Sequence, residues 1–332
     1  MKKKDDLQQM IKNKNIVYIA TKNSDYIRIN EEILMVKRLA SSYKIICYSD
    51  KKYFSRILKV YKSILTTSFK DCDMVFVGFM AQMILPFLSW KWNKKDVLTD
   101  FFISIYDTIV DDRKKIKVNS LIALILKKID MITIKKSNWI ITDTVAHALY
   151  FCKELGAVKD NCYVNYLEAD RDIYYPMQIE KPIMWKGKKI VLYFGSILPV
   201  QGIDVVMNTI SELRYIKQIH FIIIGPVQNK VKTVDYDTVT YIPWLEQNVL
   251  ANYIAFSDLC LAGHFSANVN KAKRTIPGKA YIYEAMNKPM VLGDTVANHE
   301  LFEEDSKHIF VPVGSSKILA DKIREFFQNH YD

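Results

Sequence analysis

The residues best suited to chemistry lie between Lys271 and Glu300, KAKRTIPGKAYIYEAMNKPMVLGDTVANHE. Lys271, Lys273, Arg274 and Lys279 crowd around Thr275-Ile276-Pro277-Gly278. Thr275 fits an N-cap, and Pro277 fits the first turn of a helix running to about Asn287. Pro289 then opens a short buried strand, Met290 to Leu292, that ends at Gly293-Asp294. Cations around a helix N-terminus at the carboxyl end of a strand make an anion site, and a diphosphate is the anion they suit. The same residues also read as a solvated basic loop before a core helix. A second candidate is Gly195-Ser196-Ile197-Leu198-Pro199-Val200-Gln201-Gly202, between a strand and a helix. Its glycines let backbone N–H groups approach a phosphate closely. It is neither GxGxxG nor GxxxxGK[ST], and it equally fits a plain strand-to-helix turn.

The elements that would position these groups alternate along the whole chain. Strand-like runs fall at Asn15 to Ala20, Tyr43 to Tyr48, Met74 to Val77, Val97 to Ile105, Trp139 to Thr142 and Cys162 to Tyr166. Helical periodicity fills Tyr26 to Ala40, Lys114 to Lys136 and Val145 to Leu155, the last ended by Gly156. Leu167 to Lys189, with Pro176, Pro182 and Trp185, reads as a linker. A second series of strands follows at Ile190 to Phe194, His220 to Ile224, Val239 to Ile242, Leu259 to Ala262, Met290 to Leu292 and His308 to Val311. Helices fall at Ile203 to Leu213, Glu246 to Phe256 and Ser315 to His330. This order predicts two α/β domains, each a doubly wound parallel sheet, with ligands at the carboxyl ends of the strands. The expected domains are 1–178, 179–314 and a terminal helix at 315–332.

The 332 residues suit two domains of about 150 each. Lys and Arg number 47 against 36 Asp and Glu, a net charge of +11 that favours anionic partners. With no zinc knuckle, RNP string or helix-turn-helix pattern, nucleic acid is not expected. Cys47, Cys72, Cys152, Cys162 and Cys260 form no CxxC pair and read as free thiols in a reducing cytosol. No histidine spacing suggests a metal. The start, MKKKDDLQQM, does not read as a signal peptide, because Asp5 and Asp6 interrupt its basic region. Met74 to Trp90 carries no charge, yet it falls short of the roughly 20 residues of a membrane span and is broken by Gly78, Gln82, Pro86 and Ser89. It reads as a buried strand and then an apolar helix lying on a membrane surface. Trp90 and Trp92 with Lys91, Lys94 and Lys95 would be the interfacial aromatics and cations.

Several segments in order, FGSILPVQGID, YIPWLEQN, SDLCLAGHFS and RTIPGKAYIYEAMNKPMVLGD with ANHELF, resemble the nucleotide-sugar domain of GT-B glycosyltransferases. The particular likeness is to family-4-like enzymes of bacterial capsule, O-antigen and exopolysaccharide assembly. In the first half, DFFISIYDTIVDDRKK and IITDTVAHALYF resemble the matching acceptor-domain segments. The resemblance implies two Rossmann-like domains facing a cleft, with the terminal helix crossing back to the first. It also implies metal-independent, retaining transfer from a nucleotide-diphosphate sugar, with no further cofactor, at the inner face of the membrane. The acceptor it implies is a glycan or a polyprenyl-linked glycan.

The family pattern has a glutamate seven residues before the strand-opening proline and another eight residues before that, and counting back from Pro289 those places hold Ile282 and Arg274. Glu284 is two residues out, which turns it roughly 200° around the helix. The Arg and Lys of the family's glycine loop are replaced by Ser196 and Gln201. The expectation is that Arg274 and Lys279 supply the relocated countercharge, next to Gly195, Ser196, Gln201 and Gly202. His264, at a strand end, would touch the donor sugar or phosphate. Trp244 either stacks on the base or plugs a loop. On the acceptor side, Tyr106 and Asp107 follow a strand, and Asp107 would contact or deprotonate the acceptor hydroxyl. Asp112 also fits an N-cap. Arg113 would pair with a carboxylate, and Arg28 and Asn30 would line the cleft or face water. Two other readings keep the nucleotide-sugar partner: a sugar-nucleotide epimerase, and a catalytically silent subunit of a polysaccharide assembly complex.

Overall fold

The computed structural model describes residues 1–227 and 231–331. Asp332, expected in the terminal helix, lies outside them. The chain divides into two compact units, Met1–Tyr166 and Leu167–Asp332, where the sequence reading put the boundary at 178/179. The Pro-containing stretch after Tyr166 belongs to the second unit: Arg171 donates to the Ala285 carbonyl at 3.3 Å, Lys181 pairs with Asp258, and the Trp185 ring lies tilted 5.7 Å from that of Phe256.

The first unit runs α1 (Lys4–Ile11), β1 (Asn15–Ile19), α2 (Ile27–Leu39), β2 (Ser42–Ile46), α3 (Tyr53–Thr66), β3 (Met74–Val77), α4 (Leu85–Leu88), β4 (Asp96–Asp100), α5 (Leu121–Lys135), β5 (Trp139–Thr142), α6 (Val145–Leu155) and β6 (Cys162–Val164). Its six strands are parallel in the order β2-β1-β3-β4-β5-β6. Central strands covered by helices on both faces must be apolar on both, and Met74–Val77 is fully buried along its length.

The second unit runs β7 (Lys189–Phe194), α7 (Ile203–Leu213), β8 (Ile219–Ile224), β9 (Val239–Ile242), α8 (Gln247–Phe256), β10 (Leu259–Gly263), α9 (Gly278–Ala285), β11 (Met290–Gly293), β12 (His308–Val311) and α10 (Ser316–Tyr331). The sheet is again parallel, in the order β12-β11-β10-β7-β8-β9. The order reverses between β7 and β10, which opens a crevice at their carboxyl ends.

The structure corrects several local expectations. The apolar run after β3 is no continuous helix but a 3₁₀ turn, the four-residue α4 and a second 3₁₀ turn. Trp92 is no interfacial residue: it is buried with its ring 5.1 Å from that of Phe69, whereas Trp90 is exposed. No helix among the described residues is long and apolar enough to cross a membrane. α5 starts at Leu121, not Lys114, because the Ser120 hydroxyl caps it by accepting the Ala123 N–H at 3.2 Å. Asp112 is therefore not the N-cap of α5 and lies buried in the π-helical turn Asp107–Asp112. Thr275 does not cap α9 either: its hydroxyl donates to the Lys271 carbonyl, and Pro277 holds the N-cap position. The terminal helix, expected to cross back to the first domain, packs on α7 and β12. Its Leu319, Ala320, Ile323, Phe326 and Phe327 complete the second unit's own core. α1 and α3 have no counterpart in the sequence reading.

Candidate functional site

In the second unit the site is built where β7 and β10 part. β7 is followed by Gly195, whose φ of +142° suits only glycine. A Cβ added there would find the Lys279 ammonium at 3.7 Å. Lys279 comes from the first turn of α9 and reaches under this turn. It is 5% exposed, and its Nζ has no hydrogen-bond partner. It lies 3.6 Å from the centre of the Tyr193 ring. Burial alone pushes its pKa well below the usual lysine value. The Tyr193 hydroxyl beneath it is likewise buried without a partner, and burial raises its pKa. A cation in an apolar cradle, at the start of a helix whose N–H groups lack a side-chain cap, is a receptor for an anion.

The glycine turn returns through a 3₁₀ turn to Gly202 at φ +66°. A Cβ on Gly202 would lie 2.5 Å from the Ser266 nitrogen. Gly202 thus locks the start of α7 against the loop after β10, and its part is close packing. Gln201 joins the same contact through its carbonyl, which accepts the Phe265 N–H at 3.2 Å, while its side-chain Oε1 is buried without a partner. His264 is buried at the end of β10, its carbonyl against Gly293. Ser196 is exposed at the tip of the turn. Arg274 is half-buried where the 3₁₀ turn Asn270–Lys273 ends, four residues before α9 begins. The structure thus brings Gly195 to Lys279, and Gln201 and Gly202 to the His264 loop. Trp244 stands apart: it follows β9, two strands from β7. At 71% exposure it plugs nothing. Glu284 is half-exposed and accepts from His308 Nε2 at 2.8 Å, so its carboxylate is engaged on β12.

In the first unit, Asp107 is fully buried at the start of the π-helical turn. Its amide donates to the Ser104 hydroxyl at 3.0 Å, and its Oδ2 lies 3.7 Å from His147 Nε2. The other ring nitrogen of His147 is 2.7 Å from Asp143 Oδ1. Burial opposes the imidazolium, but Asp143 and then Asp107 outweigh it and raise the His147 pKa. The row Asp107–His147–Asp143 reaches the surface at Asp143, the least buried of the three. His147 is its hub. The signal that could have found it is the four-residue spacing of Asp143, just before the Thr144 cap of α6, and His147 in the first turn of that helix. Tyr106 is half-buried, with its amide on Asp130 at 2.9 Å. Arg113 is exposed after the turn, and Asn30 is exposed on α2.

Arg28 neither lines a surface nor faces water. It is buried, donates to both oxygens of Asp100 at 2.7 Å and stacks 4.6 Å over the Phe102 ring. Burial works against its charge, yet Asp100 outweighs burial and its pKa is raised. Glu32, 4.0 Å from Arg28 and bonded by the Tyr18 hydroxyl at 2.6 Å, is driven well above the usual carboxyl range by burial and then by Asp100. One guanidinium serves one carboxylate, and the second acid is biased toward its protonated form.

Two units of this kind, each a doubly wound parallel sheet with its loops at the carboxyl ends, are those of the GT-B fold. Residues 188–329 match the family model for glycosyl transferases group 1. No curated protein sequence matches the chain. Among solved structures it is similar to sucrose-phosphate synthase of Thermosynechococcus elongatus, at 12% identity and a TM-score of 0.65 over 96% of this chain and 90% of that one. It is similar to HepE of Anabaena in complex with UDP, at 12% identity and a TM-score of 0.63 over 96% and 91%. A third is the lipopolysaccharide outer core galactosyltransferase WaaB, at 11% identity and a TM-score of 0.56 over 96% and 91%. At such identities the structural likeness speaks for the fold. The family match over the second unit sets the class: the chain is a glycosyltransferase.

Proposed function

We propose that the chain moves a sugar from a nucleoside-diphosphate donor to a growing surface glycan carried on a lipid, as in capsule or O-antigen assembly. It would work at the cytoplasmic face of the membrane. The observation that carries the donor half is Lys279: an ammonium buried without a partner, between the Gly195 turn and the first turn of α9. A diphosphate oxygen is the partner that site suits, and the UDP held by the similar HepE supports the same choice. As the bond to the sugar breaks, charge grows on the diphosphate, and Lys279 with Arg274 supplies countercharge in place of a metal ion or other cofactor. Retention of anomeric configuration is the course we assign, with His264 and Gln201 on the donor side.

On the acceptor side, Asp143 is the group that would meet the acceptor hydroxyl. Asp107 acts through His147 as a positioning residue, holding the imidazole toward Asp143. A thermal-shift series with UDP, GDP and inorganic pyrophosphate tests the donor half. A bound ligand at 100 times its Kd adds about 2.7 kcal/mol of stability. If no nucleoside diphosphate stabilises the protein, the reading fails. If a donor sugar is consumed equally well without any glycan acceptor, the epimerase reading replaces it.

A further inference from the structure

The first turns of α5 expose their large apolar side chains, while small and polar ones along the helix are buried. Ala123, Asp130 and Thr133 are at most 1% exposed, whereas Leu121, Ile122, Leu124 and Ile125 are 74%, 56%, 56% and 49% exposed. At 100° per residue these four occupy one sector of about 160°. The rotation of the helix is fixed from inside. The Asp130 carboxylate accepts from the Ser104 hydroxyl at 2.7 Å, the Gln82 amide at 3.0 Å and the Ile105 and Tyr106 N–H groups at 3.1 and 2.9 Å. Turning α5 to bury its leucines would strip a buried carboxylate of four bonds. The outward apolar stripe is therefore held in place by the polar core beneath it.

Residues 113–129 hold six cations, Arg113, Lys114, Lys115, Lys117, Lys127 and Lys128, and no acid. Lys127 pairs with Glu154 at 3.1 Å. Arg113, Lys114, Lys115 and Lys117 are exposed just before the stripe and Lys128 just after it. The connections β2-α3-β3, β3-α4-β4 and β4-α5-β5 all step the same way across the sheet, so their right-handedness puts α3, α4 and α5 in one layer. That layer also exposes Phe54 and Leu58 on α3, Phe87 on α4 and Trp90 just beyond it. Neither 51–66 nor 84–95 contains an acid.

We propose that this layer seats on an anionic lipid bilayer, with the Leu121–Ile125 stripe among the acyl chains and the flanking lysines on the lipid phosphates. An apolar stripe rimmed by cations matches apolar chains beneath anionic headgroups. A second copy of the chain is a poor occupant, because a two-fold contact would bring the same cations face to face. α5 runs antiparallel to β5, so the stripe stands toward the carboxyl ends of the strands. The seat would thus present a lipid-linked acceptor to the Asp107–His147–Asp143 end of the unit. The inference rests on the membrane half of the reading above and is independent of the donor half.

The test is co-sedimentation of the full chain with vesicles of phosphatidylcholine alone and of phosphatidylcholine with phosphatidylglycerol. Wild type should bind the anionic vesicles. The double variant Leu121→Ser/Ile125→Ser should bind at least about tenfold more weakly. Both side chains face outward, so its thermal unfolding and its shift by UDP should match wild type. Binding undiminished in the double variant would overturn the seat on α5 and leave a membrane role to another surface. Wild type that binds neither vesicle would overturn the seat and the membrane reading together, while the UDP shift still reports on the donor half. A wild-type dimer that the double variant turns into a monomer would reassign the stripe to self-association.

Discussion

Replacing Lys279 with methionine should make the protein more stable and its nucleotide binding worse. Lys279 has no hydrogen-bond partner and is pushed by burial well below its usual pKa. In the unfolded chain a lysine titrates near 10.4. Between the folded-state value and that figure the unfolded chain holds the extra proton, so stability rises with pH across that window. The penalty is absent above about pH 10.4, grows as the pH falls and is complete below the folded-state pKa. Each pH unit in the window is worth about 1.4 kcal/mol. Methionine keeps the methylene packing over Tyr193 and removes the charge, so Lys279→Met should gain that amount per unit and lose the slope. A diphosphate supplies the missing partner. Losing one hydrogen bond to a charged group costs about 1.5–3 kcal/mol, or roughly 10- to 150-fold in Kd. Because the ligand favours the ammonium, binding should also take up a proton. Calorimetry of UDP binding in two buffers of different ionisation enthalpy reads that uptake directly. A variant that is less stable than wild type across this range, or that keeps the wild-type Kd for UDP and pyrophosphate, would refute the reasoning.

Two further outcomes follow from the first unit. His147 has a raised pKa between Asp143 and Asp107; its stabilisation is complete below the unfolded value near 6.5 and is lost as the pH rises through the folded value. His147→Gln should therefore flatten the fall in stability just above pH 6.5, read as the wild-type minus variant difference in urea midpoints, and it should displace the pH profile of turnover. Asp100→Asn leaves the buried Arg28 without its bidentate partner, a change that typically costs about 3–5 kcal/mol. Glu32, 4.0 Å away, can give up its proton in compensation, so urea unfolding should show a loss at the lower end of that range near neutral pH and a larger one in acid.

The strands were legible because burial on both faces leaves an unbroken apolar signature. All twelve were anticipated to within a residue or two, except for the end of β4, which was read too long, to Ile105 where the strand stops at Asp100. Helix ends were less legible, since Ser120 and Thr275 are the same kind of residue locally and only the fold decides which one caps. Thr275 lost its cap because Lys271 offered a carbonyl four residues back. Lys279 and Gly195 were both flagged as sequence, but their proximity was a conjecture until α9 was seen to start at Gly278. Arg28 was unreadable for a different reason. Nothing near it in the chain announces Asp100, 72 residues on, and a lone arginine after a strand looks like surface. The reversed amphipathicity of α5 was hidden in the same way: LIALILKK reads as a helix with a core stripe unless one knows that Asp130 is bonded inside.

The two units treat buried charge in opposite ways, and the difference bears on what each does. In the first, the deep charges answer one another: Arg28 has Asp100, Asp130 has four donors, and His147 lies between two acids. Such networks fix geometry, holding the rotation of α5 and the start of α6 whether or not anything is bound. In the second, Lys279 is buried at the sheet's switch point with no such answer. A protein made only to be stable would discard that lysine, since methionine fits and costs less. Its presence at the mouth of a glycine turn makes sense if the missing charge arrives with the ligand, so that the cost of the empty site becomes part of the affinity of the filled one. The acceptor unit would then be pre-set, and the donor unit would be completed by its substrate.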